Sequence, residues 1–304
     1  MITVVGEALV DVVLGADGTT TVTPGGAPFN VARACSRLGA PVALVAAIST
    51  DRFGQRLMVD LSADGVHTEH VQRTDNPTTL AVAELDATGG ADYHFYLQGT
   101  SAIALAPVPL PLHTQAVVVG GLGLAVEPLA TAVEPVVLDA GDDMLVLLDL
   151  NCRPGAVGDR DSYLARLRRV LRRADVVKAS IEDLRYIDPA SSPAEVAMRL
   201  VTARTRTVLL TAGAAATTVV TSTDTCAIPV VDAPVVDTIG AGDSFTAAFL
   251  TWWMANGPAV EGLADIDALA PAVDAAHRAT AVTVGRRGAD PPYGSELSPD
   301  WDPC

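Results

Sequence analysis

Residues 237–257 read DTIGAGDSFTAAFLTWWMANG. An acid, Asp243, stands between Gly-Ala-Gly and a long apolar run. From Ser244 the run has the length of a buried helix, and it stops at Asn256-Gly257, a pair that favours helix termination. The segment before it, VVDAPVVDT (230–238), reads as a strand and turn. Gly240-Ala241-Gly242 therefore falls at a helix N-terminus, where backbone N–H groups lack internal partners and the dipole is positive. One reading is a tight turn, with Asp243 as a first-turn acid that the dipole favours. The other reading uses the same geometry as chemistry. Small residues leave the N–H groups open to a phosphoryl group. An acid beside them can take the proton of an attacking hydroxyl. A charge that is costly to bury then has a reason to be there.

Outward from this turn, short β-branched runs alternate with helical patterns. ITVVG (2–6), PVALVAAI (41–48), AVVVGG (116–121), LVLLDLN (145–151), DVVKAS (175–180) and TVLLTAG (207–213) read as buried strands. FNVARACSRLG (29–39), FGQRLMVDLSADG (53–65), YLARLRRVLRRA (163–174) and PAEVAMRLVTA (193–203) read as helices. The alternation predicts an α/β fold, a doubly wound, mostly parallel sheet with helices on both faces. Two stretches depart from it. Residues 9–24 and 78–97 alternate apolar and polar side chains around the turn signals ADG (16–18) and TGG (88–90). They predict antiparallel hairpins, half exposed, suited to a lid whose apolar side covers a site or a second subunit. The tail after residue 285 reads as irregular.

Two further stretches carry polar groups to expected strand or helix ends. In GGAPFNVARACSRLG (25–39), Gly25-Gly26 precedes a helix with Asn30 in its first turns. The pair is either a plain turn or a place where backbone approaches a small polar ligand. In DLNCRPG (149–155), Asp149, Asn151 and Arg153 share one side if the strand stays extended. C-terminal ends of parallel strands face the ligand crevice, so Arg153 could hold a substrate or phosphate oxygen. An ordinary loop ion pair is the plain alternative.

The chain of 304 residues suits one domain, 1–304. Its net charge of −16 disfavours nucleic acid and anionic membrane as partners. Apolar residues make up 49%, enough for a sizeable core, and Lys178 is the sole lysine. Cys35, Cys152, Cys226 and Cys304 show no CxxC spacing, so reduced thiols in a cytoplasmic protein are expected. The first residues carry no targeting pattern, and no apolar run reaches the roughly 18 residues of a membrane span. GGLGLA (120–125) lacks the third glycine of a dinucleotide fingerprint, and there is no GxxxxGK[ST] for a P-loop. The five histidines show no metal spacing. The arginines of ARLRRVLRRAD (165–175) read as a solvated helix face.

Gly-Gly-x-x-x-Asn early and Asp-Thr-x-Gly-Ala-Gly-Asp late resemble the ribokinase (PfkB) family of carbohydrate kinases. The resemblance spans the chain and takes in GEALVD (6–11), the two lid hairpins, DxNxR and the segments VVKAS and LLTAG. Within the family, GEALVD, GGAPFN, NPTTLA and YHFYLQGTSA are most similar to bacterial fructokinases. The resemblance implies a ribokinase-like core with a β lid at about 9–24 and 78–100. It implies ATP and Mg²⁺, with K⁺ as a further cofactor, and a homodimer through the lid. It makes Asp243 the base and the amides of Gly240, Ala241, Gly242 and Asp243 the anion hole. Asp11, Gly25, Gly26 and Asn30 would bind sugar hydroxyls, with Arg153 near the sugar or the transferring phosphate. Lys178, Ser180, Thr211 and Gly213 would line the nucleotide side. Asp237 would serve a monovalent-cation site, and Asp183 would hold Mg²⁺ through water. Two positions depart from the family pattern. Ser180 and Asp183 replace a frequent Asn-x-x-Glu, and Ala216 stands where a nucleotide-loop glycine is common.

The expected reaction is transfer of the γ-phosphate of ATP to a hydroxymethyl group of a neutral sugar, foremost fructose. The alternatives are 2-keto-3-deoxygluconate, another sugar or nucleoside of the family's range, or sugar binding without catalysis. Sugar-acid kinases commonly place an arginine after an aromatic pair in the lid. Here Phe95-Tyr96 is followed by Leu97, and residues 78–101 contain no lysine or arginine. A buried carboxylate needs a cationic partner, so a neutral sugar fits better.

Overall fold

The computed structural model describes residues 1–85, 91–297 and Trp301. The first part of the chain forms β1 (Ile2–Val5), β2 (Leu9–Leu14), β3 (Thr20–Gly25), α1 (Ala27–Arg37), β4 (Val42–Val45), β5 (Ala47–Ser49), α2 (Arg52–Ala63) and β6 (Gln72–Thr74). Then come β7 (Leu80–Leu85), β8 (Ala91–Tyr96), β9 (Ala116–Gly120), α3 (Leu122–Ala125), α4 (Leu129–Leu138), β10 (Leu145–Asp149) and α5 (Arg160–Leu171). The last part contributes β11 (Val176–Ser180), α6 (Ile181–Ile187), α7 (Pro193–Leu200), β12 (Thr207–Thr211), β13 (Thr217–Thr221), β14 (Thr225–Ile228), α8 (Ala241–Asn256) and α9 (Ile266–Val284).

Eight strands make the large sheet in the order β14-β13-β12-β11-β10-β9-β1-β4. The strands from β12 to β4 are parallel, and β13 and β14 add antiparallel pairs at one edge. Successive side chains point to opposite faces, so each central strand feeds two cores. Ile2, Val4, Ala116, Val118, Leu145 and Leu147 join Phe29, Leu57, Phe249 and Leu269 from α1, α2, α8 and α9. Val5, Val117, Val119, Val146 and Leu148 join Val133, Leu167, Leu184 and Val196 from α4 to α7. This two-sided burial is why the strands are apolar throughout instead of alternating. α8 is apolar all round because it lies between α1, α9 and the sheet, with Ser244–Thr251 buried.

A second sheet, β3-β2-β7-β8, stands apart. The 9–24 hairpin forms as read, with Asp11 opposite Thr23 and the ADG turn between the strands. β7 and β8 are antiparallel, Ala81 opposite Phe95, and their TGG turn lies outside the described residues. One face presents Leu9, Asp11, Val13, Ala81, Ala83, Tyr93 and Phe95 to a cavity. Among the described residues, no helix is long and apolar enough to cross a membrane. Cys35, Cys152 and Cys226 are free thiols; Cys304 is outside the described residues.

Three local readings are corrected, and two strands went unread. PVALVAAI is not one strand: it breaks at Ala46, and β5 leaves the main sheet to pair with β6. VVDAPVVDT forms no strand. Pro234 removes a donor, Val235 and Val236 stay exposed, and among the described residues only the amides of Val236 and Asp237 bond, both to Val284 O. The antiparallel β13 and β14 were not legible beside their Thr/Ser-rich loops. The arginines of α5 are not simply solvated: Arg166 is buried and bridges Glu127 and Glu134, and Arg173 binds Asp175 and three backbone carbonyls.

Candidate active site

A cavity of about 590 Å³ lies where β1, β9 and β10 end, under the inner face of the small sheet. The N-termini of α1 and α8 open into it, bringing Gly26, Ala27 and Asn30 against Gly240, Gly242 and Asp243. Strand ends of a parallel sheet are where such folds bind ligands.

The Gly-Ala-Gly turn behaves as an N-terminus without a cap. Gly240 has φ 77° and no side chain bonds to the first helical amides. A Cβ on Gly240 would come within 2.6 Å of the Ala289 Cβ, so the turn needs glycine twice over. Ala241 N bonds Thr238 O at 3.2 Å and Ser244 N bonds Gly240 O at 2.8 Å. Among the described residues, the amides of Gly242 and Asp243 between them find no acceptor. Two open N–H groups at a positive helix end are suited to phosphoryl oxygens.

Asp243 is placed at this turn with one oxygen engaged. Asn30 Nδ2 donates to its Oδ2 at 2.8 Å. Burial pushes the carboxyl up to about 6 and Asp149 adds to the rise, while Asn30, Lys178 and Arg153 pull down. It is a base still mostly ionised at neutral pH yet stronger than an exposed aspartate. Behind the turn, Lys178 Nζ sits 3.2 Å from where a Cβ on Gly242 would be. Lys178 is buried and donates to Asp149 Oδ2 at 2.8 Å, which also accepts from Thr246 Oγ1 at 2.9 Å. Across the cavity Asp11 is raised to about 6 by burial and by Asp243. It lies against Gly25, where a Cβ would come within 1.9 Å of its Oδ2.

Asp149, Asn151 and Arg153 do not share one extended side. β10 ends at Asp149, Asn151 takes φ 39°, and the chain turns. Asn151 and Arg153 still reach the cavity, and Asp149 goes beneath it to Lys178. Among the described residues Arg153 donates only to the Asn151 and Cys152 carbonyls, at 3.5 and 3.2 Å, and forms no ion pair.

The residues read as a nucleotide side separate into two groups. Lys178 is under the anion turn. Thr211 and Gly213 stand at the end of β12, next to Ser180 at the end of β11, on a ledge beside the cavity. Ser180 and Asp183 form a capping box on α6: Ser180 N and Oγ donate to Asp183 Oδ2, and Asp183 N donates back to Ser180 Oγ. Asp183 Oδ1 accepts from Cys152 N at 2.6 Å. Both oxygens of Asp183 thus accept from protein, so it braces the loop that carries Arg153, and Oδ1, with a single donor, keeps a lone pair. Asp237 is similar, with Ile239 N at 3.0 Å and Gly288 N at 2.8 Å on its two oxygens. Among the described residues no group of three or more His, Cys, Asp or Glu is arranged to hold a metal.

Besides lining residues such as Tyr93, Gly121 and Thr238, one buried acid of the cavity was missed. Glu7, directly after β1, is 3% exposed and lines the floor. Its signal was available: an acid at the end of the first parallel strand.

Comparison with known proteins shows the family of the chain. Residues 1–294 match the model of the pfkB family carbohydrate kinases. The chain belongs to that family. It is a sugar kinase of the PfkB type, on a ribokinase-like fold. It is 33% identical to a fructokinase of Rhizobium leguminosarum bv. trifolii over 82% of this chain and 78% of the relative. It is 32% identical to the fructokinase of Salmonella typhimurium over 97% of each. Among solved structures, a fructokinase with bound ATP from Xylella fastidiosa superposes with a TM-score of 0.84 at 26% identity, covering 95% of this chain and 93% of that one.

Proposed function

We propose that this PfkB kinase transfers the γ-phosphate of ATP to a hydroxymethyl group of a neutral sugar, with D-fructose the foremost substrate. The observation that carries this is Asp243, a raised carboxyl with one oxygen held by Asn30, at a helix N-terminus whose amides are open. Asn30 fixes the carboxyl so that the other oxygen is available to the sugar hydroxyl. As the sugar oxygen bonds to phosphorus, its proton passes to Asp243 and the bond from phosphorus to ADP breaks. The Gly242 and Asp243 amides hold phosphoryl oxygens, and the Lys178 charge behind Gly242 steadies them. Gly240 and Ala241 shape this turn. Asp11 and Asn30 bind hydroxyls, while Gly25 and Gly26 let the backbone come close. Arg153, with no acid partner of its own, is free for the phosphoryl group.

ATP is supported by the bound nucleotide of the Xylella fastidiosa fructokinase. The ledge of Ser180, Thr211 and Gly213 is its place here. Mg²⁺ would travel on the nucleotide phosphates, with Asp183 reaching it through water, and supply charge neutralisation there. Asp237 ties two loop segments, and K⁺ beside it would shape the anion turn. We also propose that residues 1–304 act as one unit, with the small sheet as a lid. Its outer face exposes Leu14, Val22 and Tyr96 at 36, 47 and 60%, a surface suited to a second copy.

The test is a side-by-side kcat/KM for D-fructose and 2-keto-3-deoxygluconate in an ADP-release assay. The cavity holds the three acids Glu7, Asp11 and Asp243 with Arg153 as the lone cation among its lining residues. The sugar acid should be poorer by at least about tenfold, the cost of one missing charged contact. Preference for the sugar acid would overturn the assignment, and sugar binding without ADP release would favour a non-catalytic role.

A further inference from the structure

The floor of the cavity holds two polar side chains that phosphoryl transfer leaves unused. Glu7 is 3% exposed, and its Oε2 is buried with no hydrogen-bond partner. Burial raises its carboxyl to about 7; Asp243 adds to the rise, while the Glu7 and Gly123 amides and Arg153 oppose it. A buried carboxyl oxygen without a partner is expensive and calls for one. Asn151 has φ 39° in the left-handed region, which a non-glycine residue holds only against strain. Its side-chain amide bonds to none of the described residues. Between the two stands Gly121. A Cβ on it would lie 3.4 Å from Glu7 Oε1 and 3.6 Å from Asn151 Nδ2. An acceptor, Glu7 Oε1, and a donor, Asn151 Nδ2, therefore lie on the same side of Gly121, and all three residues line the cavity.

We propose that Glu7 and Asn151 form a hydroxyl subsite, in which one sugar hydroxyl donates to the Glu7 carboxyl and accepts from the Asn151 amide. A hydroxyl is both donor and acceptor, so it satisfies the two at once. A sugar lacking that hydroxyl leaves both unpaired in a desolvated place, and an anionic group would face Glu7 directly. The pair thus selects among neutral sugars. The subsite rests on the neutral-sugar reading given above.

The experiment crosses variants with substrates. kcat/KM is measured for D-fructose and for each of its single-hydroxyl deoxy analogues, the phosphoryl-accepting position excepted. Glu7→Met should lower kcat/KM for the full sugar by about 10- to 100-fold, and Glu7→Gln should recover part of it. Against one particular analogue, wild type and Glu7→Met should converge to within about twofold. Asn151→Gly removes the donor while relieving the backbone, so it should fold at least as well and converge on the same analogue. If Glu7→Met does not fold, Asn151→Gly decides alone. Equal losses on every analogue, or convergence on none, would overturn the subsite and leave a structural role for Glu7. A wild-type enzyme that phosphorylates no neutral sugar overturns the underlying reading as well, and that result shows before any variant is made.

Discussion

Asp243 has one oxygen on Asn30, and the proposed mechanism gives the other to the sugar hydroxyl. Asp243→Asn keeps the size and the turn but cannot accept the proton. Sugar binding by calorimetry should persist while kcat falls about 10²- to 10⁴-fold; near-normal turnover would sink the mechanism. Because the base must be ionised and its carboxyl is raised to about 6, kcat/KM should fall as pH drops through that value. Asn30 lowers the carboxyl's pKa, so Asn30→Ala should move the acid limb to higher pH. An unmoved limb would mean that another group titrates there. Much at this scale was legible in the sequence. Asp243, Gly240 and Asn30 stand beside glycine pairs that mark turns at helix starts. Lys178 and Asp183 were legible as polar residues but not in their positions, because their partners Asp149 and Cys152 lie 29 and 31 residues away. Glu7 has no motif partner in the sequence; only folding shows that it ends beneath Asn151.

α1 links two ends of the site. Near its start Asn30 reaches Asp243, and at its last turn Arg37 holds Asp64, Asp290 and Pro291 O. Arg37 thereby pins the segment after α9, whose Gly288 amide meets Asp237 and whose Ala289 packs under Gly240. A cation bound by the loops around Asp237 would stiffen the turn that holds phosphate. Replacing Na⁺ by K⁺ at constant ionic strength should then raise the rate; equal rates in the two salts would remove the cation from the mechanism. Elements with strong patterns, such as α8 and the five central parallel strands, were readable because burial on both faces demands apolar side chains. The break at Ala46 was not. A run of eight apolar or small residues looks continuous, and only the pairing of β5 with β6 reveals that it changes sheets.

For the whole molecule, three cavity acids set a pH dependence of stability. Glu7, Asp11 and Asp243 are held at about 7, 6 and 6 against ordinary values of 4.5, 3.8 and 3.8. Through these three groups the folded state binds more protons than the unfolded state between these limits, against the opposing His277, whose pKa burial lowers. Their favourable contribution is complete below the ordinary values and is lost as pH rises through the raised ones. The ligand-free protein should melt at a higher temperature at about pH 5 than at about pH 7.5, and Glu7→Gln should narrow the gap. A Tm that rises with pH would show that these carboxyls ionise without cost. The net charge of −16 acts in the same direction, since self-repulsion grows as acids ionise.

The packing of Ala289 beneath Gly240 also bears on how the protein comes into being. A ribosome delivers the chain from the N-terminus, so both sheets and Asp243 emerge before residues 286–291. A nascent chain still lacking them would possess the base without the brace that shapes its turn. Catalysis would begin only once residues 286–291 leave the exit tunnel and lock under the helix, so the nascent kinase would spend no ATP before that point.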